Sequence, residues 1–426
     1  MCFTQGRGGE SVNESSDKNQ HLPEVERQMH LLLRGTEHVI SAEQLRARIT
    51  RSLMRKTPLR VKLGVDPTAA SLHLGFTLGL RKLRQFQDLG HIAVLIIGDA
   101  TAMVGDPTGR NKARPRLDAA TVDANATHYL EQAMKILSPE RLEVRRNGEW
   151  LKRLDFTGFI ELASRSTVAR MLERDDFSKR WKEGVAIQLH EFLYPLLQGT
   201  DSVAIQADVE LGGSDQLFNL LVGRDLQEQH GQEPQICLTT PLLLGLDGQR
   251  KMSKTYDNWI GINESPDEMM LKVMRISDSM LRDWMLLLTD MSDEEIAAAL
   301  HTNVNPRDSK LELGRRIVAG YWGKDAAVAA AEGWLKRVSR KEVDAASATI
   351  LLPDEWRHTP PTALELLMHT GWFQSKGEAR RQLEQRAVSL NERRIENSSE
   401  RLALEVGAVL RVGKQRLATL QWKALD

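Results

Sequence analysis

Apolar positions along the chain change period several times, and each change marks a candidate element. Between Pro23 and Arg55 the residues Leu31, Leu32, Val39, Ile40, Leu45, Ile49 and Leu53 fall at helical spacing. Leu59 to Val65 reads as a strand, closed by the turn and helix-start chemistry of Asp66-Pro67-Thr68. A helix is expected over Leu72–Leu89. Gly90 then precedes the run His91–Gly98, whose centre IAVLII is short, β-branched and suited to a strand buried on both faces. Strand, helix and strand within about 40 residues predict a parallel βαβ unit. Helices are expected on to about Leu197, with further strands at Ser202–Ala207 and Ile236–Leu238. From Ser265 to about Ala348 the residues Leu271, Val273, Met274, Leu281, Trp284 and Leu288 recur at helical spacing. Pro353–Pro361 (PDEWRHTPP) cannot continue a helix and reads as a linker to a last unit of about 65 residues.

Composition narrows the class without naming a function. At 426 residues, 41% apolar and 27% charged, the chain fits a globular protein of two or three domains. No apolar run approaches the ~18 residues of a membrane span. Residues 1–22 are polar and lack the apolar centre of a signal peptide, so they read as a disordered tail on a cytoplasmic protein. Two cysteines, Cys2 and Cys237, leave no disulfide framework and argue against a Cys-based zinc site. Formal net charge is zero, so any nucleic-acid contact must come from local patches.

Two segments carry candidate chemistry. In Val65-Asp66-Pro67-Thr68-Ala69-Ala70-Ser71-Leu72-His73-Leu74-Gly75-Phe76 a strand opens onto a helix start, where backbone amides favour anions and Thr68 and His73 can donate to phosphate oxygens. Gly75 removes a side chain where a flat base could lie against the backbone. Taken alone, the segment is equally compatible with a solvated helix cap carrying an incidental His. In Lys251-Met252-Ser253-Lys254-Thr255, after the turn Gly245-Leu246-Asp247-Gly248, two lysines with no acid between them can neutralise a polyphosphate. A solvated loop is the commoner fate of a single Lys-x-x-Lys. Tyr194, Gln198 and Asp201 stand at i, i+4 and i+7 and share one face if helical, offering a phenol, an amide and a carboxylate to a small amphiphilic ligand.

The pairing of a His-x-Gly segment with a Lys-Met-Ser-Lys loop about 180 residues later resembles the signature of class I aminoacyl-tRNA synthetases. Gly105-Asp106-Pro107-Thr108-Gly109-Arg110, Tyr194-Pro195-Leu196-Leu197-Gln198 with Asp201, and Gly212-Gly213-Ser214-Asp215-Gln216 look like the tyrosyl branch of bacterial type, in its order. The resemblance runs from about Leu31 to the C-terminus. It implies an α/β fold: a helical segment (23–58), a Rossmann-like parallel-sheet catalytic domain (59–264), a helical anticodon-binding domain (265–352), the linker (353–361) and a small α+β RNA-binding module of ribosomal-protein type (362–426). It implies activation of L-tyrosine with ATP and Mg2+, transfer to tRNA(Tyr), a homodimer, and no metal site in the protein itself.

Residue by residue, the resemblance places Thr68, His73, Arg110, Arg114, Lys251, Lys254 and Thr255 on the phosphates. Gly64, Asp66, Gly75, Gly213, Asp215, Met252 and Ser253 would line the ATP and adenylate site, with Asp215 on the ribose. Lys62, Asp106, Tyr194, Gln198, Asp201 and Gln216 would hold tyrosine, Asp201 taking the phenolic hydroxyl and Tyr194, Gln198 and Asp106 the α-ammonium. Lys376, Arg380 and Arg381 would meet RNA phosphates in a stretch that, from Pro361 on, carries 11 Lys and Arg against 8 Asp and Glu.

Four positions depart from the family pattern. Phe76 stands where the second His of the motif is usual and cannot donate a hydrogen bond; Thr200 stands where relatives place a Tyr beside the pocket Asp, which suggests a larger pocket. Lys62 replaces a tyrosine of another branch, and Arg386 replaces a glycine at a turn where positive φ would suit Gly. Two alternatives therefore stay open beside a working tyrosine enzyme: a second copy with altered amino-acid specificity, and a non-catalytic RNA-binding protein. A tryptophan enzyme or a small-molecule nucleotidyltransferase would not need this combination of pocket carboxylate, helical region and RNA module.

Overall fold

The computed structural model describes residues 10–68, 71–108, 118–339, 348–391, 393–413 and 416–422. Two compact units divide the chain, Met1–Trp334 and Leu335–Asp426.

The first unit is built on a six-stranded sheet of β1 (His38–Ile40), β2 (Arg60–Val65), β3 (Ile92–Ile97), β4 (Leu142–Arg146), β5 (Val209–Gly213) and β6 (Ile236–Thr240), in the order β1-β6-β5-β2-β3-β4. Strands β2 to β6 run parallel, and β1 joins the edge antiparallel to β6. Numbered among themselves, the five parallel strands lie 3-2-1-4-5, the doubly wound arrangement whose chain direction reverses between the first and fourth strands. That crevice lies between β2 and β5, so residues at their carboxyl ends are the ones topology exposes to a ligand.

The helix Leu74–Asp88 and strand β3 complete the expected βαβ unit, within two residues of the predicted bounds. Every residue of β3 after Ile92 is buried, as its unbroken apolar run requires. The expected strand at Ser202–Ala207 is instead the end of the helix Tyr194–Ile205. Pro195 occupies the first turn of that helix, where a missing amide costs nothing, and Gln206 ends it in the left-handed conformation at φ 51°. Gly199 and Gly223 let this helix press against the helix Leu217–Gln229: a Cβ on Gly199 would sit 3.2 Å from Gly223 Cα and 2.7 Å from a Leu226 methyl. The strand comes next, at β5, whose glycine-containing sequence VELGG hides its period.

Further differences lie in the flanks. The first helix runs Glu10–Leu33, entering the segment expected to be a tail, and β1 interrupts the segment expected to be helical throughout. Helices from Pro266–Val273 to Lys324–Ser339 supply the helical region.

The second unit holds a five-stranded sheet of β7 (Ala348–Leu352), β8 (Val388–Leu390), β9 (Arg393–Ile395), β10 (Val409–Val412) and β11 (Arg416–Trp422), in the order β7-β11-β10-β8-β9. Leu366, Leu367, Leu383, Leu410 and Leu420 lie in its core, and Trp356 packs against it. The Pro353–Pro361 segment read as a linker is thus part of this unit, with a short turn of helix at Asp354–Arg357. Arg386 adopts φ 56°, the left-handed conformation expected of the missing glycine. A Cβ there costs ~1–2 kcal/mol, partly offset because glycine loses more entropy on folding. Arg386→Gly is expected to stabilise this unit by about 0.5–1 kcal/mol, read as a higher denaturant midpoint at unchanged slope.

Candidate active site

A cavity of about 910 Å³ opens at the crevice between the ends of β2 and β5. Gly64 and Val65 on one side and Gly212 and Gly213 on the other form its sheet wall, and Thr68, His73 and Gly75 follow from the first βα turn. Gly98, at the end of β3, gives Asp66 its place, because a Cβ there would come 2.1 Å from Asp66 Oδ1. Asp66 accepts from Thr101 Oγ1 at 2.7 Å and from the Tyr194 hydroxyl at 3.0 Å. Burial first, then the negative charges of Asp66 and Asp106, push the Tyr194 phenol far up, so it stays a donor.

Asp201 lies at the closed end of the cavity, 3% exposed. Trp150 Nε1 donates to its Oδ1 at 2.8 Å and Asn147 Nδ2 to its Oδ2 at 3.3 Å. Burial pushes its carboxyl up to about 7 against the opposing pull of Lys62 and the two donors. Asn147 is itself oriented, since its Oδ1 accepts from the Ala100 amide at 3.0 Å.

Asp106 closes the other side. Gln216 Nε2 donates to Asp106 Oδ2 at 2.9 Å, and buried Arg174 holds Thr108 Oγ1 at 2.8 Å while lying 3.7 Å from Asp106 Oδ1. Asn219 Nδ2 donates to Gln198 Oε1 at 3.1 Å and to Gln216 Oε1 at 2.9 Å.

The Lys251–Thr255 loop forms the outer lip. Asn258, 3% exposed, anchors it: its amide nitrogen reaches Arg250 O at 3.3 Å and Lys251 O at 3.2 Å, and its Oδ1 accepts from Ser253 N at 2.8 Å. Lys251 Nζ sits 3.0 Å from Asp215 Oδ2, and Lys254 Nζ donates to Ser71 Oγ at 2.6 Å. The lysines thus reach opposite walls across the cavity mouth. Burial, then the charge of Lys254, pulls His73 down to about 4, so its ring is neutral near pH 7. His73 Nδ1 is buried without a hydrogen-bond partner among the described residues. Phe76, half exposed on the lip, lies 4.7 Å from the His73 ring.

The family model for class I tRNA synthetases (W and Y) matches residues 54–339. The chain is 50% identical over 396 residues to the tyrosine–tRNA ligase of Symbiobacterium thermophilum, across 92% of this chain and 97% of the relative. For that of Thermotoga maritima the identity is 49%, across 92% and 96%. The chain belongs to the class I tyrosine–tRNA ligases. Its fold matches a tyrosyl-tRNA synthetase complexed with L-tyrosine from Archaeoglobus fulgidus at TM-score 0.59 and 21% identity, over 72% of this chain and 99% of that one. A truncated mitochondrial tyrosyl-tRNA synthetase of Coccidioides posadasii gives TM-score 0.60 and 22% identity, over 77% and 97%.

Within this tyrosine–tRNA ligase fold, one cavity gathers Gly64, Asp66, Thr68, His73, Gly75, Asp106, Tyr194, Gln198, Asp201, Gly213, Asp215, Gln216 and the whole of Lys251–Thr255. Lys62 is a correction: it is fully buried and does not line the cavity, its ammonium lying behind Gln198. The Thr200 hydroxyl turns back along the helix to Leu196 O at 2.8 Å, and its side chain does not line the cavity. Arg110 and Arg114 lie outside the described residues. Lys376, Arg380 and Arg381 are exposed on or beside one face of the helix Lys376–Glu384 in the second unit. Asn147, Trp150, Thr101, Arg174 and Asn219 carried no signal in the sequence, because each acts through a residue far from it in the chain.

Proposed function

We infer that the chain activates L-tyrosine with ATP and transfers it to tRNA(Tyr). The observation that carries the reading is a single cavity in which a buried, doubly donated Asp201 faces the closed end while two lysines span the mouth. Tyrosine enters phenol first, its hydroxyl donating to Asp201. Its ammonium meets the Tyr194 oxygen, Gln198 Oε1 and Asp106. The carboxylate then attacks the α-phosphorus of ATP in line, the bond to the β-phosphate bridge breaks, and pyrophosphate leaves. Positioning and charge supply the catalysis, without a covalent enzyme intermediate. His73 donates to the phosphates as a neutral group, while Lys251, Lys254 and Thr255 close over them. Asp215 holds the ribose once Lys251 moves to the phosphates. A terminal hydroxyl of tRNA next attacks the tyrosyl carbonyl, releasing AMP.

Mg2+ is read as entering with the ATP phosphates, as part of the substrate. No helix among the described residues is long and apolar enough to cross a membrane. The helical region and the exposed basic residues of the second unit are read as the tRNA-binding surfaces. The reading is tested by tyrosine-dependent ATP–pyrophosphate exchange, run beside phenylalanine and tryptophan. Exchange with tyrosine alone supports it, and exchange with another amino acid but not tyrosine would move the chain to the altered-specificity alternative.

A homodimer belongs to the same reading. The segment 156–189 leaves Phe156 81%, Val168 64%, Trp181 69% and Leu189 82% exposed, and these are the side chains a partner subunit would cover. Leu189→Asp is expected to convert a dimer to a monomer in sedimentation velocity, with the cavity-lining residues untouched.

A further inference from the structure

Behind the cavity wall, Lys62 on β2 faces Glu210 on β5, paired in register across the two central strands. Both side chains are almost completely buried, at 0% and 1% exposure. A buried ion pair is a poor source of stability, because its desolvation offsets its attraction. This one has its hydrogen-bonding capacity fully used. The three Lys62 protons go to Gln198 O at 2.8 Å, Ser202 Oγ at 2.8 Å and Glu210 Oε1 at 2.8 Å. Glu210 Oε1 also accepts from Gln198 Nε2 at 3.1 Å, and Oε2 accepts from Ser202 Oγ at 3.0 Å and from Gln235 Nε2. Of this cluster Gln198 is the member that lines the cavity, while the charges of Lys62 and Glu210 act on Asp201 in opposite directions, so replacing the pair removes both effects together.

A primary amide has a donor end and an acceptor end that differ little in shape, and only its partners decide which faces where. An ionised carboxylate only accepts. Glu210 therefore takes the Gln198 amide nitrogen, leaving the oxygen for the other side. The neighbouring amides agree: Arg174, which only donates, reaches Asn219 Oδ1 at 3.3 Å, so Asn219 presents its nitrogen to Gln198 Oε1. An acceptor on the cavity wall suits a cationic ligand group, and a donor there would repel it.

We infer that Lys62 and Glu210 form a positioning pair for the ammonium end of tyrosine: Glu210 turns the Gln198 amide oxygen toward the substrate, and Lys62 pairs with Glu210 and ties down the Gln198 backbone. This rests on the reading of Gln198, Tyr194 and Asp106 as the ammonium site. The pair acts through Gln198 and touches no substrate atom.

Two competitive inhibitors of the exchange reaction separate this role from a general structural one. Tyrosinol keeps the ammonium and lacks the carboxylate; 3-(4-hydroxyphenyl)propionate keeps the carboxylate and lacks the ammonium. In Glu210→Gln the tyrosinol inhibition constant is expected to rise about 10- to 100-fold, the span of one hydrogen bond to a charged group, with that of the desamino acid changed less than about threefold. The tyrosine KM rises with it. Lys62→Met/Glu210→Gln, which exchanges the buried charges for neutral side chains of similar size, keeps the interior free of a lone charge and is expected to show the same selective loss. Equal weakening of both inhibitors in the double variant, or no change in either, overturns the inference. Failure of the wild-type protein to exchange with tyrosine would instead overturn the underlying functional reading, so the two failures are distinguishable.

Discussion

Lys251→Ala/Lys254→Ala is expected to lower tyrosine-dependent ATP–pyrophosphate exchange at least about a thousandfold, with tyrosine binding in the absence of ATP changed less than about threefold. The chain has no net charge to draw a polyphosphate, so attraction must come from local cations. Lys251 and Lys254 span the cavity mouth, paired with Asp215 and Ser71. Each partner is exchangeable. Asp215 suits a ribose diol better than an ammonium once nucleotide is bound, and a serine hydroxyl is a weak hold on a lysine. Burial pulls Lys254 below the usual lysine range, which is the mark of a cation poorly solvated until an anion arrives. Because the lysines gain their strongest partner only as negative charge collects on the departing pyrophosphate, their loss falls on kcat more than on substrate affinity. Equilibrium dialysis with tyrosine and single-turnover exchange measure the two effects separately. Wild-type exchange in the double variant would remove the phosphate clamp from the proposed mechanism.

What the sequence made legible follows from how local each signal is. The turn after β2, the Lys251–Thr255 loop and the face of the helix Tyr194–Ile205 are contiguous or helically spaced, and the structure brings all three to one cavity. Strand β5 was harder to see, since VELGG has two glycines and one charge in five residues and draws its burial from neighbours on both sides. Its place in the sheet depends on Glu210 meeting Lys62 from a distant strand, a pairing that no periodicity reports. The same holds for Trp150 and Asn147, which join the site through the hydrogen bond each makes to Asp201. Lys62 was legible as a site residue by its position in the motif but not by its depth. A lysine next to the motif reads as a ligand contact, and only the third dimension shows Gln198 standing between it and the cavity. Arg386 shows the reverse case, a strained turn foreseen from one missing glycine.

Asp201→Asn is expected to cut kcat/KM for tyrosine by about 10²–10³ and to leave that for phenylalanine within about tenfold, collapsing the selectivity between them. Tyrosine enzymes, the standard example of such a site, reject phenylalanine by about 10⁵. The physical reason is an acceptor that phenylalanine leaves unpaired, and in this cavity the acceptor is a buried carboxylate that already accepts one hydrogen bond each from Trp150 and Asn147. Asparagine replaces that anion by a weaker acceptor and turns one donor end toward groups that only donate. The pH dependence follows from the same residue. Burial raises Asp201 to about 7, so the free enzyme loses its ionised acceptor as pH falls through neutrality, and wild-type kcat/KM for tyrosine should drop on that limb. Stability runs the other way. Between the ordinary aspartate range and about 7 the folded chain holds a proton that the unfolded chain has released, so this group lowers stability as pH rises across that window. Activity therefore gains from the ionisation that folding resists. The asparagine variant has no such carboxyl, so its tyrosine profile should be flat over the limb where the wild type falls. A wild-type profile level from about pH 5 to 8, or a variant that still rejects phenylalanine as strongly as before, would put the tyrosine hydroxyl somewhere other than against Asp201.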